Sequence, residues 1–293
     1  MGTLKRRRKT CAKLAPAALG VLFMGACEPA DTDPQQTARI SERPQGTQDL
    51  DKAFAEPPGE GFAIVNGSQA ASIEITMPQD MAALSPKLQE ELDRRANAGS
   101  DDFVAASQAD QQVASENDFN FMPHNLDVKW VRTGPSEGRL TGFVGTYAAY
   151  TGGAHANIGF DVLNWDVEDD RQIALEDLFD DDEAARTSIA KALKEKLLVA
   201  KRERLQDSTS SDADILETWV NPAFDGNIAV FEHFSIARST IADKAGGLVY
   251  HFAPYEVGAY AEGVYVISVG HDHFADALND TYKDAFGGEP ILP

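Results

Sequence analysis

The chain has 293 residues, 43% of them apolar and 25% charged, a balance that fits a soluble globular protein. Beyond one short N-terminal run, no apolar stretch reaches the roughly 18 residues of a membrane span, which excludes a multi-pass membrane protein. Acidic residues outnumber basic ones 47 to 26, for a net charge of −21. Such a surface repels phosphate backbones and anionic headgroups, so nucleic-acid binding is not expected, while basic partners are tolerated.

The N-terminus carries an address. Residues 5 to 9 read Lys-Arg-Arg-Arg-Lys, and Leu14 to Met24 form an apolar run of signal-peptide length. The run ends in Gly25-Ala26-Cys27, followed at once by the polar string EPADTDPQQT. Small residues before a cysteine suit a lipoprotein-type signal peptide over 1–26, with lipidation at Cys27. The expected location is the cell envelope, lipid-anchored to a bacterial membrane and facing the periplasm or exterior. Membrane contact is then through the lipid anchor alone. Six of the 26 basic residues precede Cys27, so a chain starting there carries 20 basic against 47 acidic residues, a net −27. Residues 27–60 are rich in Pro, Gln, Asp, Thr and Glu without a sustained period, the composition of a disordered tether. The only two cysteines, Cys11 and Cys27, lie in the first 27 residues, so no disulfide or thiolate metal site is expected in the folded part.

From Phe62 onward the patterns are those of an α+β fold. Ser72 to Met77 alternates polar and apolar residues, a strand ended by Pro78. Leu84, Leu88 and Leu92 recur every fourth residue, a helix with a narrow apolar stripe, and an Ala-rich helix over Asp102 to Ser115 follows. Asn125–Val131, Leu140–Tyr147 and Ile158–Val167 read as three strands joined by short turns, an antiparallel meander. Asp180-Asp181-Asp182-Glu183 stands before Ile189, Leu193 and Leu197, the negative first turn of a long helix reaching about Leu205. A short segment near Ile215–Val220 and strands at Phe231–Ile236, Leu248–Phe252 and Val264–Val269 complete the chain. Helices and strands come in runs rather than strict alternation. The expected fold class is α+β, an antiparallel sheet with packed helices in two intimately associated halves.

Candidate chemistry is sparse. In Tyr150-Thr151-Gly152-Gly153-Ala154-His155-Ala156-Asn157 the paired glycines permit positive φ and close backbone approach. Their amides can form an anion-holding concavity flanked by Tyr150 and His155, or they can simply make a turn with His155 bonded to backbone. The acids of 177–183 lack the alternating ligands and central glycine of a calcium loop, and helix capping explains them. His271 and His273 have no evident third partner, so no metal is expected. His124, His233 and His251 read as structural. Nucleophile-elbow, zinc-protease, P-loop and dinucleotide motifs do not occur, and no cofactor is expected.

Three strings carry a resemblance: Tyr150 to His155, Ile173-Ala174-Leu175-Glu176-Asp177-Leu178-Phe179, and Leu248 to Gly263 (LVYHFAPYEVGAYAEG). In order and spacing they resemble the RsiV/PdaC-type extracytoplasmic domain family. That domain occurs in the lysozyme-sensing anti-sigma factor RsiV and in the non-catalytic region of the peptidoglycan deacetylase PdaC. The resemblance implies a PdaC-type N-terminal half over 61–137 and an RsiV-type C-terminal half over 138–286. It also implies a capacity to bind a basic lysozyme-like protein or peptidoglycan. Only about a dozen residues precede the apolar run, so a sigma-controlling role is not expected, and neither is the deacetylase's separate catalytic domain. Tyr150, Gly152, Gly153, His155, Tyr255 and Tyr260 are the candidate contact residues, with Pro254 starting a turn. The leading expectation is a non-enzymatic, membrane-tethered binding module. The alternative is a cell-wall hydrolase or deacetylase using His155, Tyr150 and a nearby carboxylate.

Overall fold

The computed structural model describes residues 62–79, 85–205 and 210–292. The signal segment, Cys27 and the tether expected over 27–60 lie outside the described residues. Two sheets organise the fold. The first has the order β1 (Phe62–Gly67), β2 (Ala71–Met77), β3 (His124–Arg132), β4 (Leu140–Tyr150), β5 (Asn157–Asp166) and β6 (Arg171–Gln172). The second has β10 (Pro290–Ile291), β7 (Phe234–Ser239), β8 (Ala245–Phe252) and β9 (Tyr265–Gly270), in that spatial order.

The meander β3-β4-β5 is antiparallel as expected, but β2 and β3 pair in parallel. Parallel neighbours need a long crossover, and two helices supply it: α1 (Pro86–Ala96) and α2 (Ser100–Glu116). The start of α1 is fixed by Ser85, whose hydroxyl accepts from the amides of Lys87 and Leu88 at 3.1 and 3.2 Å, with Pro86 in the first turn. Its Leu88, Leu92 and Ala96 pack into a core with Ile73, Ile75 and Trp130 of the sheet.

The long helix α3 (Asp182–Leu205) covers the second sheet. Asp181 caps it by accepting from the Ala184 amide at 3.0 Å, and Asp182 and Glu183 occupy the first turn, so the acidic run does act as a helix start. Ile189, Leu193 and Leu197 bury one stripe against Ile236, Leu248 and Val269. The segment after it consists of short helical turns over Asp212–Phe224. Residues Ile228–Glu232 form a 3₁₀ turn, so β7 begins at Phe234 rather than at Phe231.

A buried polar seam joins the sheets. Asn164 of β5 donates to the Phe234 carbonyl at 2.9 Å and accepts from the Ile236 amide at 2.8 Å. Thr133 donates to the Ile236 carbonyl at 2.9 Å and its own carbonyl accepts from the Arg238 amide at 2.8 Å. The approach is so close that a β-carbon at Gly142 would lie 2.6 Å from the Ile236 nitrogen. The two halves are therefore one packed unit.

Candidate functional site

Two loops that are distant in sequence meet at the end of the β4–β5 hairpin remote from this seam. The first is the β4–β5 hairpin tip, residues 151–156. Gly152 takes φ +89°, which L-residues avoid, and no heavy atom lies within 4 Å of where its β-carbon would stand. Gly152 and Gly153 are exposed. The pair thus makes an open turn, with only the His155 carbonyl near it, 3.9 Å from where a Gly153 β-carbon would stand.

The second loop follows β8. Pro254 opens a turn in which the Glu256 carboxylate accepts from the Ala253 amide at 2.8 Å and the Tyr255 amide donates to the Gly258 carbonyl at 3.0 Å. Tyr255 itself sits at φ +75° and is 66% exposed. A non-glycine residue held in this region stores of the order of 1–3 kcal/mol of strain, which the surrounding bonds must over-determine. A short 3₁₀ turn, Tyr260–Glu262, comes next.

The loops meet ring on ring. His155 stacks on Tyr260 with centroids 3.6 Å apart and planes at 20°, and Tyr255 leans on Tyr260 at 5.8 Å and 41°. One backbone carbonyl explains the stack: Ala156 O accepts from Tyr260 Oη at 2.9 Å and lies 3.2 Å from His155 Nδ1. Three of the expected contact residues, His155, Tyr255 and Tyr260, are thereby gathered on one surface. Tyr150 is not part of the stack: its hydroxyl lies 4.0 Å from Met122 Sδ.

Beneath this surface the loop is nailed to α3. Glu262 Oε2 receives Lys201 Nζ and Tyr265 Oη, each at 2.6 Å, and its Oε1 receives the Ala259 amide at 2.7 Å. Lys201 also donates to the Val257 carbonyl at 2.7 Å and faces the rings of Trp219 and Tyr265. Arg204 donates to the carbonyls of Glu262 and Val264, and its guanidinium lies 4.1 Å from the Tyr265 ring centroid. Burial alone raises the Glu262 pKa, but the bonds from Lys201, Tyr265 and Ala259 outweigh it and hold the carboxyl below its ordinary range. Lys201 was not foreseen as special. The signal was present, since it continues the four-residue spacing of Ile189, Leu193 and Leu197 with a charge where an apolar side chain is due.

The histidines divide clearly. Among the described residues no carboxylate pairs with His155, so it lacks the orienting partner a general acid or base uses. His251 Nε2 lies 2.8 Å from Ser235 Oγ, the spacing of a nucleophile and its base. Both residues are fully buried, and burial pushes the His251 pKa down to about 3, so this pair is a neutral core hydrogen bond. His124 is buried between Phe103 and Phe121, 3.5 Å from Asp110. His233 lies 3.8 Å from Glu256. His271 and His273 sit in a 3₁₀ turn, and the described residues hold no group of three metal-ligating side chains. No described helix is long and apolar enough to cross a membrane.

A two-sheet α+β domain with a ring-stacked surface is the class these features define. Residues 64–158 match the family model described as Deacetylase PdaC, and residues 176–272 match that of a protein of unknown function, DUF3298. The chain carries a PdaC/DUF3298-type domain. Similar solved structures include a DUF3298 family protein from Pseudomonas aeruginosa PAO1, 15% identical, covering 80% of this chain and 99% of that one, with a TM-score of 0.48. A DUF3298 family member from Bacteroides fragilis NCTC 9343 is 15% identical and covers 76% and 94%, with a TM-score of 0.45. No curated protein matches the chain.

Proposed function

We propose that this protein is a non-enzymatic binding module of the bacterial cell envelope, held to a membrane by a lipid on Cys27, and that it recognises a basic, lysozyme-like protein. The observation that supports this reading most is the ring stack of Tyr255, Tyr260 and His155. Its outermost ring is exposed on a strained backbone, and the loop beneath is fixed by a buried ion pair. Aromatic anchors of this kind dominate binding energetics when they are held ready, because little ordering is left to be done on association. A net charge of −21 adds electrostatic attraction for a cationic partner. A second reading, binding of peptidoglycan, is favoured by the same exposed ring faces, which offer a flat apolar surface to a sugar. The absence of a carboxylate partner for His155 among the described residues argues against the hydrolase or deacetylase alternative.

The test is titration of the purified protein with a basic lysozyme, and in parallel with peptidoglycan, at low salt and at about 0.15 M. Saturable lysozyme binding that survives the higher salt supports the reading. Binding at low salt alone reduces it to nonspecific charge, and binding to neither ligand removes it.

A further inference from the structure

The C-terminal end of α2 presents an apolar surface that the other described residues leave exposed. Phe119 is 69% exposed, Val113 54% and Met122 48%. These side chains do not hang from a loose loop. Asp118 adopts φ +58°, which lets the Phe119 amide turn back to the Ala114 carbonyl at 2.8 Å, while Asn117 Nδ2 donates to the Val113 carbonyl at 2.8 Å. This is a closed helix terminus, and in such a terminus the residue after the left-handed position normally packs on the preceding turn. Here it points its ring at solvent. Met122 continues the patch to Tyr150 at the end of β4.

The charge around the patch is of one sign. From Gln108 to Pro123 the sequence holds Asp110, Glu116 and Asp118, all exposed, and no lysine or arginine. Elsewhere in the fold carboxylates are met by guanidinium groups: Glu91 and Asp161 by Arg95, Asp166 by Arg139, Asp212 by Arg202. On α2 the one described ion-pair contact is Asp110 with His124 at 3.5 Å. An apolar patch flanked by carboxylates on its own segment is complementary to a surface that is both apolar and cationic. Another copy of this chain, or an anionic bilayer, would bring like charge against like charge.

We propose that the Val113–Phe119–Met122 surface docks a basic protein through a cationic segment carrying apolar side chains, and that it does so independently of the ring stack. The probe is a helical peptide of alternating leucine and lysine faces, with a control in which every leucine is serine, titrated into the purified full chain. The leucine-bearing peptide is expected to bind and the serine control to bind at least about ten-fold more weakly. Phe119→Ser with Met122→Ser is expected to cost about ten-fold in affinity. Asp110→Asn with Glu116→Gln and Asp118→Asn is expected to cost as much and to flatten the salt dependence. Val199→Ser, at an exposed apolar residue of α3, is expected to change nothing, so an exposed apolar side chain alone does not account for the binding. All substituted side chains are exposed, and unchanged unfolding temperatures verify the fold. Equal binding of the serine control, indifference to the Phe119 and Met122 changes, or concentration-dependent self-association abolished by those changes would each overturn the proposal.

Discussion

Lys201 Nζ and Glu262 Oε2 lie 2.6 Å apart, with their side chains 0% and 6% exposed, and this contact joins the last turns of α3 to the loop that carries Tyr255 and Tyr260. Taking two charges out of water is costly, and an apolar pair of similar volume is often as stable or more so. What the ion pair adds is direction. Glu262 is bonded to Lys201, Tyr265 and the Ala259 amide at once, so the turn from Ala259 to Glu262 has one pose in which all are satisfied. Tyr260 starts that turn, and its stacking on His155 follows from the pose.

Removing one partner of this pair leaves the other charge buried alone. Lys201→Met is expected to lower the unfolding free energy by about 3–5 kcal/mol, read from urea unfolding. Lys201→Met combined with Glu262→Leu should recover much of that loss. A single variant that loses less than about 1 kcal/mol would show the pair to be solvated in solution.

The elements were largely readable from local pattern, because each rests on a local cause. Leu88 and Leu92 sit one helical turn apart, Asp181 precedes an apolar stripe, and the β3-β4-β5 meander has short turns that leave little choice of partner. The parallel pairing of β2 with β3 was not readable, since alternation in Ser72–Met77 marks a buried face but says nothing of which strand lies beside it. The site shows the same division. Tyr150–His155 and Pro254–Tyr260 each stand out as strings, yet their meeting depends on how the two sheets dock through Asn164 and Thr133. No local rule contains that docking. Tyr150, adjacent in sequence to the hairpin tip, ends beside Met122 instead.

Acid should weaken the fold through His251. Its folded pKa is about 3, lowered by burial and then by the charge of His233, against 6.5 for the free side chain. A depressed folded value means that stability is fully present above about 6.5 and is lost as the pH falls toward 3, because the unfolded chain takes up the proton first. The slope from this one group approaches about 1.4 kcal/mol per pH unit. Comparing urea unfolding of the parent and His251→Gln between pH 8 and pH 4 isolates it. The difference between the two curves should be flat at the alkaline end and change by a few kcal/mol toward the acid end. Parallel curves throughout would mean that His251 takes up its proton equally readily in the folded and the unfolded chain.

Two glycines predict opposite outcomes for the same change. At Gly142 a methyl group would meet the Ile236 nitrogen at 2.6 Å inside the seam between the sheets, so Gly142→Ala should separate them and cost several kcal/mol, about 3 or more. At Gly152 the space is open and only the φ of +89° resists, so Gly152→Ala should cost about 1–2 kcal/mol. Thermal unfolding of the two variants checks the order. A Gly142→Ala protein as stable as the parent would show that the sheets dock less tightly than described.

In the proposed function the exposed ring at the top of the stack binds the partner, and Tyr255→Gly is the decisive variant. Glycine accepts the +75° backbone, so the loop keeps its shape while the ring is lost. Affinity for the ligand that the parent binds, lysozyme or peptidoglycan, is measured at about 0.15 M salt alongside the unfolding temperature. Binding is expected to weaken by at least about ten-fold with stability unchanged within about 1 kcal/mol. Equal affinity in the variant, or a parent that binds neither ligand, contradicts the proposed function.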